Sequence, residues 1–251
     1  MQTKRDTFLI TGASSGLGLA VTEKLIVKNC NLILVARREE ILKEIKSKHP
    51  DKIQIYSGDL LDSNFISKTI KNLPSNLSGV FINAGGPPAS NFNETSIDDW
   101  HNGYNLLIKW KVELLKGVLP ILEKNKKGKI IFSESNSITK PIENLLLSNS
   151  LRMSIIGLMK SLVLEYSKYN ITFNILAPGY HETNALDRIY KKFSLENNIS
   201  IEEAKDKVKN SIRLGMVGNA ADYADLATWI FTENSGYITG QIINIDGGVS
   251  T

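Results

Sequence analysis

Short runs of apolar residues alternate with helical patterns along almost the whole chain. The runs are continuously apolar, which is typical of strands covered on both faces of a parallel sheet. Between them, segments such as 17–28 place apolar residues along one side of a predicted helix. This repetition predicts an α/β fold in which a doubly wound, seven-stranded parallel sheet is flanked by helices on both faces. The predicted strands are 8–10, 32–35, 53–55, 80–82, 130–132, 171–175 and 242–245.

One region, residues 184–213, breaks this rhythm. It contains no strand pattern and predicts two polar helices, the second opening with the capping box Ser200-Ile201-Glu202-Glu203. Its position after the sixth strand is where the carboxyl edge of such a sheet would gain a lid, although a plain surface excursion fits the same pattern. The chain has no repeats and no low-complexity linker, so we expect residues 1–251 to form a single domain containing this helical insertion.

A glycine-rich segment, Thr11–Leu19, joins the first predicted strand to the first predicted helix. In such a segment the first glycine permits a tight turn, the second lets backbone approach a pyrophosphate, and the third allows close helix–sheet packing. The exposed N–H groups of the helix N-terminus would hold the pyrophosphate. Between a strand and an amphipathic helix, the motif favours a dinucleotide site over a turn without a ligand. The cofactor-binding candidates here are Gly12, Ser14, Ser15, Gly16, Leu17 and Gly18.

The end of the second predicted strand indicates which dinucleotide is bound. A carboxylate at this point would bind the 2′-hydroxyl of NAD, whereas arginine suits the 2′-phosphate of NADP. The chain has Arg37 and Arg38 here and no acidic residue. The sequence therefore predicts NADP(H) rather than NAD(H).

Composition and charge exclude several classes of protein. The 42% hydrophobic and 22% charged make-up is typical of a globular chain, and a net charge of +4 is too small to indicate a nucleic-acid partner. A single cysteine, Cys30, excludes an internal disulfide, and three scattered histidines offer no metal site. No apolar run approaches the ~18 residues of a membrane span. Since Met1–Asp6 leads directly into a strand, we expect no signal peptide and a cytoplasmic protein.

With these residues in place, the whole chain resembles the short-chain dehydrogenase/reductases, a Rossmann-type family. The resemblance implies that Asp59 and Leu60 contact adenine, and that Asn83, Ala84 and Gly85 line the cofactor. It implies that Pro178, Gly179 and Thr183 touch the nicotinamide carboxamide. Asn105, in the long fourth helix, and Ser135, at the end of strand five, match the family's active-site asparagine and serine. The family's variable segment covers the substrate, which favours a lid role for 184–213.

The chain departs from the family at its tyrosine and lysine, which are four residues apart. None of the eight tyrosines is followed by lysine at that spacing. Counting from Ser135 places Ser148 where the tyrosine is expected and Arg152 where the lysine is expected. Residues four apart share a helix face, so both still point into one site. The segment resembles a subgroup related to β-ketoacyl carrier-protein reductases that lacks the usual tetrad.

This departure removes the acid and keeps the cation. A serine hydroxyl is far less acidic than a phenol, whereas arginine stays charged and could bind the nicotinamide ribose. Tyr180, His181 or a water held by Ser135, Ser148 and Asn105 remain as proton donors. We regard His181 more readily as a loop residue, and strand alternation should turn Glu134 away from Ser135.

Two functions of different classes therefore stay open. The first is an NADP(H)-dependent oxidoreductase that reduces a ketone or 3-oxoacyl substrate with Asn105, Ser135, Ser148 and Arg152 in its active site. The second is an inactive NADP(H)-binding sensor or partner protein. The family resemblance also implies a homodimer or homotetramer through the apolar patterns at 106–122 and 145–164.

Overall fold

The computed structural model describes residues 5–251 and consists of a seven-stranded parallel sheet between two layers of helices. The strand order is β3-β2-β1-β4-β5-β6-β7, and every pair in it is parallel. The predicted doubly wound α/β fold is thus confirmed. The strands are β1 (Thr7–Thr11), β2 (Asn31–Ala36), β3 (Ile53–Ser57), β4 (Leu77–Ile82), β5 (Gly128–Ser133), β6 (Ile171–Pro178) and β7 (Ile242–Ile245).

Each predicted strand lies within an observed one, because the central strands are buried on both faces, as their apolar runs indicate. The helices are α1 (Gly16–Val27), α2 (Glu39–Lys48), α3 (Ser63–Lys71), α4 (Ile97–Tyr104), α5 (Trp110–Asn125), α6 (Leu146–Tyr166), α7 (Asn184–Asn197), α8 (Ile201–Ser211) and α9 (Ala220–Thr232). A π-helical turn, Asn105–Lys109, joins α4 to α5, so the long fourth helix is interrupted at Asn105.

Side chains of the central strands alternate between two hydrophobic cores. Ile130 and Phe132 of β5 face one core, which they share with α5 and α6. Ile131 faces the other core, which includes residues of α1 and α9. This alternation decides where the residues just beyond β5 point, and those residues form the candidate site described below.

The chain reverses its direction of winding between β1 and β4. The loops that follow these two neighbouring strands therefore lead away in opposite directions at the carboxyl edge of the sheet, which is where this type of fold is expected to have its ligand crevice.

Residues 184–213 contain the two helices α7 and α8, and the Ser200–Glu203 capping box is present. Leu186 and Tyr190 of α7 pack against Val208 of α8 in a small separate cluster, with Tyr180 at its side. Lys192 of α7 donates to the Ala89 carbonyl in the loop after β4, 3.3 Å away. The segment thus touches a second carboxyl-edge loop, and its role as a lid stays a prediction.

No helix within residues 5–251 is long and apolar enough to cross a bilayer. In the same part of the chain, no three or more His, Cys, Asp or Glu side chains form a group suited to a metal ion. Residues 1–4, part of the segment on which the expectation of no signal peptide depends, lie outside the described residues.

Candidate active site

The turn between β1 and α1 depends on its glycines. Gly12 has φ +65°, and a Cβ there would lie 2.7 Å from the Asn83 side-chain nitrogen. A Cβ on Gly18 would lie 2.2 Å from the Gly12 carbonyl oxygen, so α1 approaches the turn more closely than any other residue allows. Ser15 precedes α1 without capping it through its side chain, which leaves first-turn N–H groups for a ligand.

Asn83 connects this turn to the loop after β4. Its backbone N–H donates to Thr11 Oγ1 (2.8 Å), and Thr11 Oγ1 in turn donates to the Asn83 carbonyl (2.8 Å). The two loops on either side of the crevice are therefore fixed to each other. Beyond Asn83 and Ala84, a Cβ on Gly85 would meet nothing within 4 Å, so this stretch borders open space.

Arg38 extends over the glycine turn. Its Nη2 donates to the Ser14 carbonyl (2.7 Å) and its Nε to Ser14 Oγ (3.3 Å). Arg37 is exposed, as Arg38 is, and its carbonyl accepts from Ser57 Oγ. Of the two arginines in the prediction, Arg38 is therefore the one held at the pyrophosphate turn.

The remaining cofactor candidates border the same crevice. Asp59 accepts from the Leu61 N–H (3.0 Å) in the turn after β3, where Leu60 packs on the core. After β6, Thr183 approaches the glycine turn, since a Cβ on Gly16 would lie 3.4 Å from its Cγ2. Gly179, after Pro178, packs closely against Asp246, since a Cβ added to Gly179 would lie 2.7 Å from the Asp246 Cβ.

These residues fit a dinucleotide. The uncapped N-terminus of α1, the glycines that leave no room for side chains and the Arg38 guanidinium supply the N–H dipoles and the positive charge that a pyrophosphate and a further phosphate require.

Helix α6 presents Ser148 and Arg152, which the sequence analysis expects at the positions of the family's tyrosine and lysine. Arg152 Nε donates to Ser148 Oγ (3.0 Å), so the two share one helix face as predicted. Because Ser148 Oγ accepts this bond, its own hydrogen points away from Arg152 and is available to another acceptor.

A buried carboxylate binds the same arginine. Glu134 Oε2 accepts from Arg152 Nη1 (2.8 Å), and Glu134 Oε1 accepts from Lys111 Nζ. The exposed fractions are 2% for Lys111, 5% for Glu134 and 6% for Arg152. Burial lowers the pKa of Lys111, and the Glu134 carboxylate opposes that shift. We call Lys111, Glu134 and Arg152 the charge triad.

Sequence reasoning missed this triad. The expectation that Glu134 faces away from Ser135 agrees with the structure. Alternate side chains of β5 and its extension, those of Ile130, Phe132 and Glu134, face α5 and α6. Sequence reasoning did not identify the partners on that face. A signal was present in the sequence, since Lys111 stands beside Trp110 in an amphipathic helix and Glu134 directly follows an apolar strand. A charge at a core-facing position needs a partner.

Ser135 lies next to the triad through Glu134. Its Oγ accepts from the Ser137 N–H (3.1 Å) and caps a 3₁₀ turn, Asn136–Ile138. Asn105 begins the π-helical turn and lines a surface groove together with His101 and Tyr104. In the part of the chain that the structure describes, no hydrogen bond joins Asn105 or Ser135 to Ser148. The four candidates are thus arranged as one bonded pair with two separate neighbours.

Two side chains proposed as proton donors are engaged elsewhere. His181 is buried, with Nδ1 3.2 Å from the Gly179 carbonyl and its ring edge-on to Tyr223, and burial lowers its pKa. His181 is thus a buried loop residue bonded to the backbone. Tyr180 packs beside the α7–α8 cluster, and burial raises its pKa, which makes it a poorer acid.

Cys30 precedes β2 and is buried, and burial raises the pKa of its thiol to about 11. It is therefore uncharged and unreactive at neutral pH, in agreement with its exclusion from the chemistry.

The chain is similar to known proteins in both sequence and structure. The NADPH-dependent reductase BacG of Bacillus subtilis is 27% identical over 98% of this chain and 97% of its own length. The 3-oxoacyl-[acyl-carrier-protein] reductase FabG of Aquifex aeolicus is 26% identical over 96% of each chain. The crystal structure of YwfH, described as an NADPH-dependent reductase of bacilysin biosynthesis, superposes with a TM-score of 0.91 at 25% identity and 98% coverage of both chains.

These relatives are oxidoreductases, and they match the chain over nearly its full length. The family model for short chain dehydrogenase matches residues 6–193, a range that includes the glycine turn, Ser135 and the α6 pair. The fold, the glycine turn and this match agree, and the chain belongs to the short-chain dehydrogenase family.

Proposed function

We propose that the protein is an NADP(H)-dependent oxidoreductase that reduces the carbonyl of a small ketone or 3-oxoacyl compound. The observation that carries this proposal is the hydrogen bond from Arg152 to Ser148. Because Ser148 Oγ accepts this bond, its own hydrogen points away from the guanidinium and is free to bind a substrate oxygen. The pair lies at the end of the crevice opposite the glycine turn. The NADPH dependence printed for BacG and YwfH supports the choice of cofactor, and Arg38 at the glycine turn is the residue that would bind the 2′-phosphate.

When bound, the reduced nicotinamide supplies a hydride. The carbonyl carbon accepts it, the π electron pair moves onto the carbonyl oxygen, and that oxygen takes a proton, so that an alcohol and NADP⁺ result. The hydroxyls of Ser148 and Ser135 would donate hydrogen bonds to the oxygen as its charge grows, and the Arg152 charge would stabilise it. With Tyr180 and His181 engaged elsewhere, we assign the final proton to water held near Ser135, Ser148 and Asn105.

Cofactor consumption tests the proposal directly. Purified protein is incubated with NADPH and a panel of ketones and 3-oxoacyl thioesters while reduced nicotinamide is followed by absorbance. We expect Ser148→Ala and Ser135→Ala each to lower kcat by about 10²–10³-fold, the usual cost of one oxyanion donor. Ser154→Ala is the matched control, since Ser154 is an exposed serine of α6 that donates to the Leu151 carbonyl. Equal activity of all three variants contradicts the assignment.

A nucleotide-binding protein without turnover is the second candidate function. It is favoured by the missing tyrosine and by the engagement of Arg152 with Glu134 and Ser148, which leaves fewer of its N–H groups for a cofactor. Tight NADPH binding in calorimetry without consumption across the panel would select this alternative. Absence of any binding heat at millimolar NADPH would contradict both functions.

The assembly and the location of the protein belong to the same proposal. The family resemblance favours a cytoplasmic homodimer or homotetramer, and exposed apolar side chains on α4 and α6, those of Tyr104, Met153 and Leu164, are compatible with subunit contacts. Light scattering after size-exclusion chromatography gives the mass, and a monomer would contradict this part of the proposal.

A further inference from the structure

Lys111 has no role in the reaction proposed above. It is nevertheless buried, and only Glu134 stands between it and Arg152. Lys111 lies in α5 between the buried Trp110 and Leu114, on the face that packs on the sheet. Its Nζ binds Glu134 Oε1, while Arg152 binds the other oxygen of the same carboxylate.

Burying the charge triad lowers the stability of the fold, because charged groups lose their hydration when they are buried. Two basic side chains share one carboxylate, and all three groups are buried, so Glu134 cannot neutralise both bases when both are protonated. Arg152 and Glu134 alone would form a neutral pair, and a methionine would fill the space of Lys111 without any charge. Stability therefore does not require Lys111 at this position.

The geometry of the triad shows what Lys111 changes. A guanidinium and a carboxylate commonly form two parallel hydrogen bonds. In this protein they form one, from Arg152 Nη1 to Glu134 Oε2, while Lys111 Nζ binds Oε1. Arg152 Nε donates to Ser148 Oγ and takes no part in the pair with Glu134. Arg152 Nη2 lies beside the loop after β4, 3.1 Å from where a Cβ on Gly86 would stand.

We propose that Lys111 is a positioning residue for the active site. By drawing one oxygen of Glu134 towards itself, it holds the carboxylate where Arg152 meets it through Nη1 alone, and it thereby disfavours a two-point pair through Nε that would remove the guanidinium from Ser148. This inference rests on the proposed reductase function. A proton relay from Lys111 is excluded by the same contacts, because the path to Ser148 passes through Arg152, and a guanidinium stays protonated in proteins.

The test is Lys111→Met in the full-length protein. We expect kcat to fall about 10- to 100-fold as the Ser148 hydroxyl loses its fixed orientation, while KM for NADPH changes less than about twofold because the phosphates bind at the opposite end of the crevice. We expect Tm to stay equal or rise, since the remaining pair is neutral. The kinetic isotope effect with NADPH deuterated at C4 should increase as hydride transfer becomes slower. Lys124→Met, an exposed lysine of the same helix, is the matched control.

A second variant separates positioning from packing. Lys111→Met with Glu134→Gln leaves an amide that offers Arg152 a single acceptor, so a two-point pair cannot form and Arg152 should stay on Ser148. We expect its kcat to lie within about tenfold of the wild type and above that of Lys111→Met. If Lys111→Met does not fold, the double variant alone decides, and a loss greater than tenfold overturns the inference.

The outcomes separate this inference from the proposed function. A wild-type protein that binds NADPH and transfers no hydride overturns the function and the inference together. An active wild type with an equally active Lys111→Met overturns the inference alone. A crystal structure of Lys111→Met in which Arg152 still binds Ser148 through Nε overturns it as well.

Discussion

The two ends of the crevice are built by different means. At the nucleotide end, the site consists of backbone: a turn whose glycines leave no room for side chains, and an uncapped helix N-terminus. At the reaction end, it consists of side chains from β5, α5 and α6 that hold one another through charge. The first depends on conformations that only glycine tolerates, and the second depends on residues distant in sequence meeting inside the fold.

This difference has a consequence for tolerance to change. A backbone site fails when an added atom moves the chain, and it fails together with local stability. A site built of buried charges can lose its orientation while the fold stays intact, because neighbouring pairs re-form within the core. The two ends should therefore respond in opposite ways when binding, turnover and stability are measured on the same variants.

The largest effect is expected at the nucleotide end. In Gly18→Ala the new methyl would lie 2.2 Å from the Gly12 carbonyl oxygen, so α1 must move away from the turn. We expect a loss of about 1–3 kcal/mol in the free energy of unfolding and a rise of at least about 100-fold in the Kd of NADPH. Urea unfolding and calorimetry measure the two quantities.

Gly157→Ala is the control for that variant. Gly157 is exposed in the middle of α6, and a Cβ there meets nothing within 4 Å. Alanine should raise stability by up to about 1 kcal/mol and leave the Kd unchanged. If Gly18→Ala binds NADPH as the wild type does, the backbone account of this end is wrong.

A smaller effect is expected from Arg38, a charged residue that we propose for the nucleotide end. Arg38→Ala removes the guanidinium held over Ser14, so the Kd of NADPH should rise about 10- to 100-fold, as for loss of a charge-assisted hydrogen bond, while the Kd of NADH stays within about twofold.

Arg37→Ala is the matched control for Arg38. Both arginines are exposed, but within residues 5–251 the Arg37 side chain makes no hydrogen bond to the glycine turn, so we expect an increase of less than about fivefold in the Kd of NADPH. The sequence analysis predicted both arginines as cofactor contacts. Equal losses of NADPH and NADH affinity in Arg38→Ala would contradict the role of this residue at the 2′-phosphate.

The smallest effect is expected at Cys30, a buried thiol that forms no ion pair, in contrast to the charge triad. Burial raises the pKa of Cys30 from 9.0 to about 11, so the native thiol keeps its proton at a pH where the unfolded chain releases it. Stability from this group should therefore be present below pH 9 and fall as the pH rises towards 11, by at most about 1.4 kcal/mol per pH unit. Unfolding of Cys30→Ala at the same pH values should lack this part of the slope; an identical slope would contradict it.

The strand–turn–helix arrangement of the glycine turn could be predicted from the sequence because its signals are local. The order strand, Thr11–Leu19, helix contains both the turn and its position in the fold, and the predicted strands all lie in the sheet. Spacing on one helix was also sufficient to join Ser148 with Arg152. The sequence could not show which of Arg37 and Arg38 binds the glycine turn, since this depends on which of the two side chains points towards Ser14.

Sequence alone determined the family and the doubly wound sheet, since both follow from the type and order of residues along the chain. Only the tertiary structure decided what surrounds Arg152. Lys111, Glu134 and Arg152 are separated by 23 and 18 residues and belong to different elements. They meet because α5 and α6 pack on the same face of β5, and a contact between distant elements has no spacing that the sequence by itself displays.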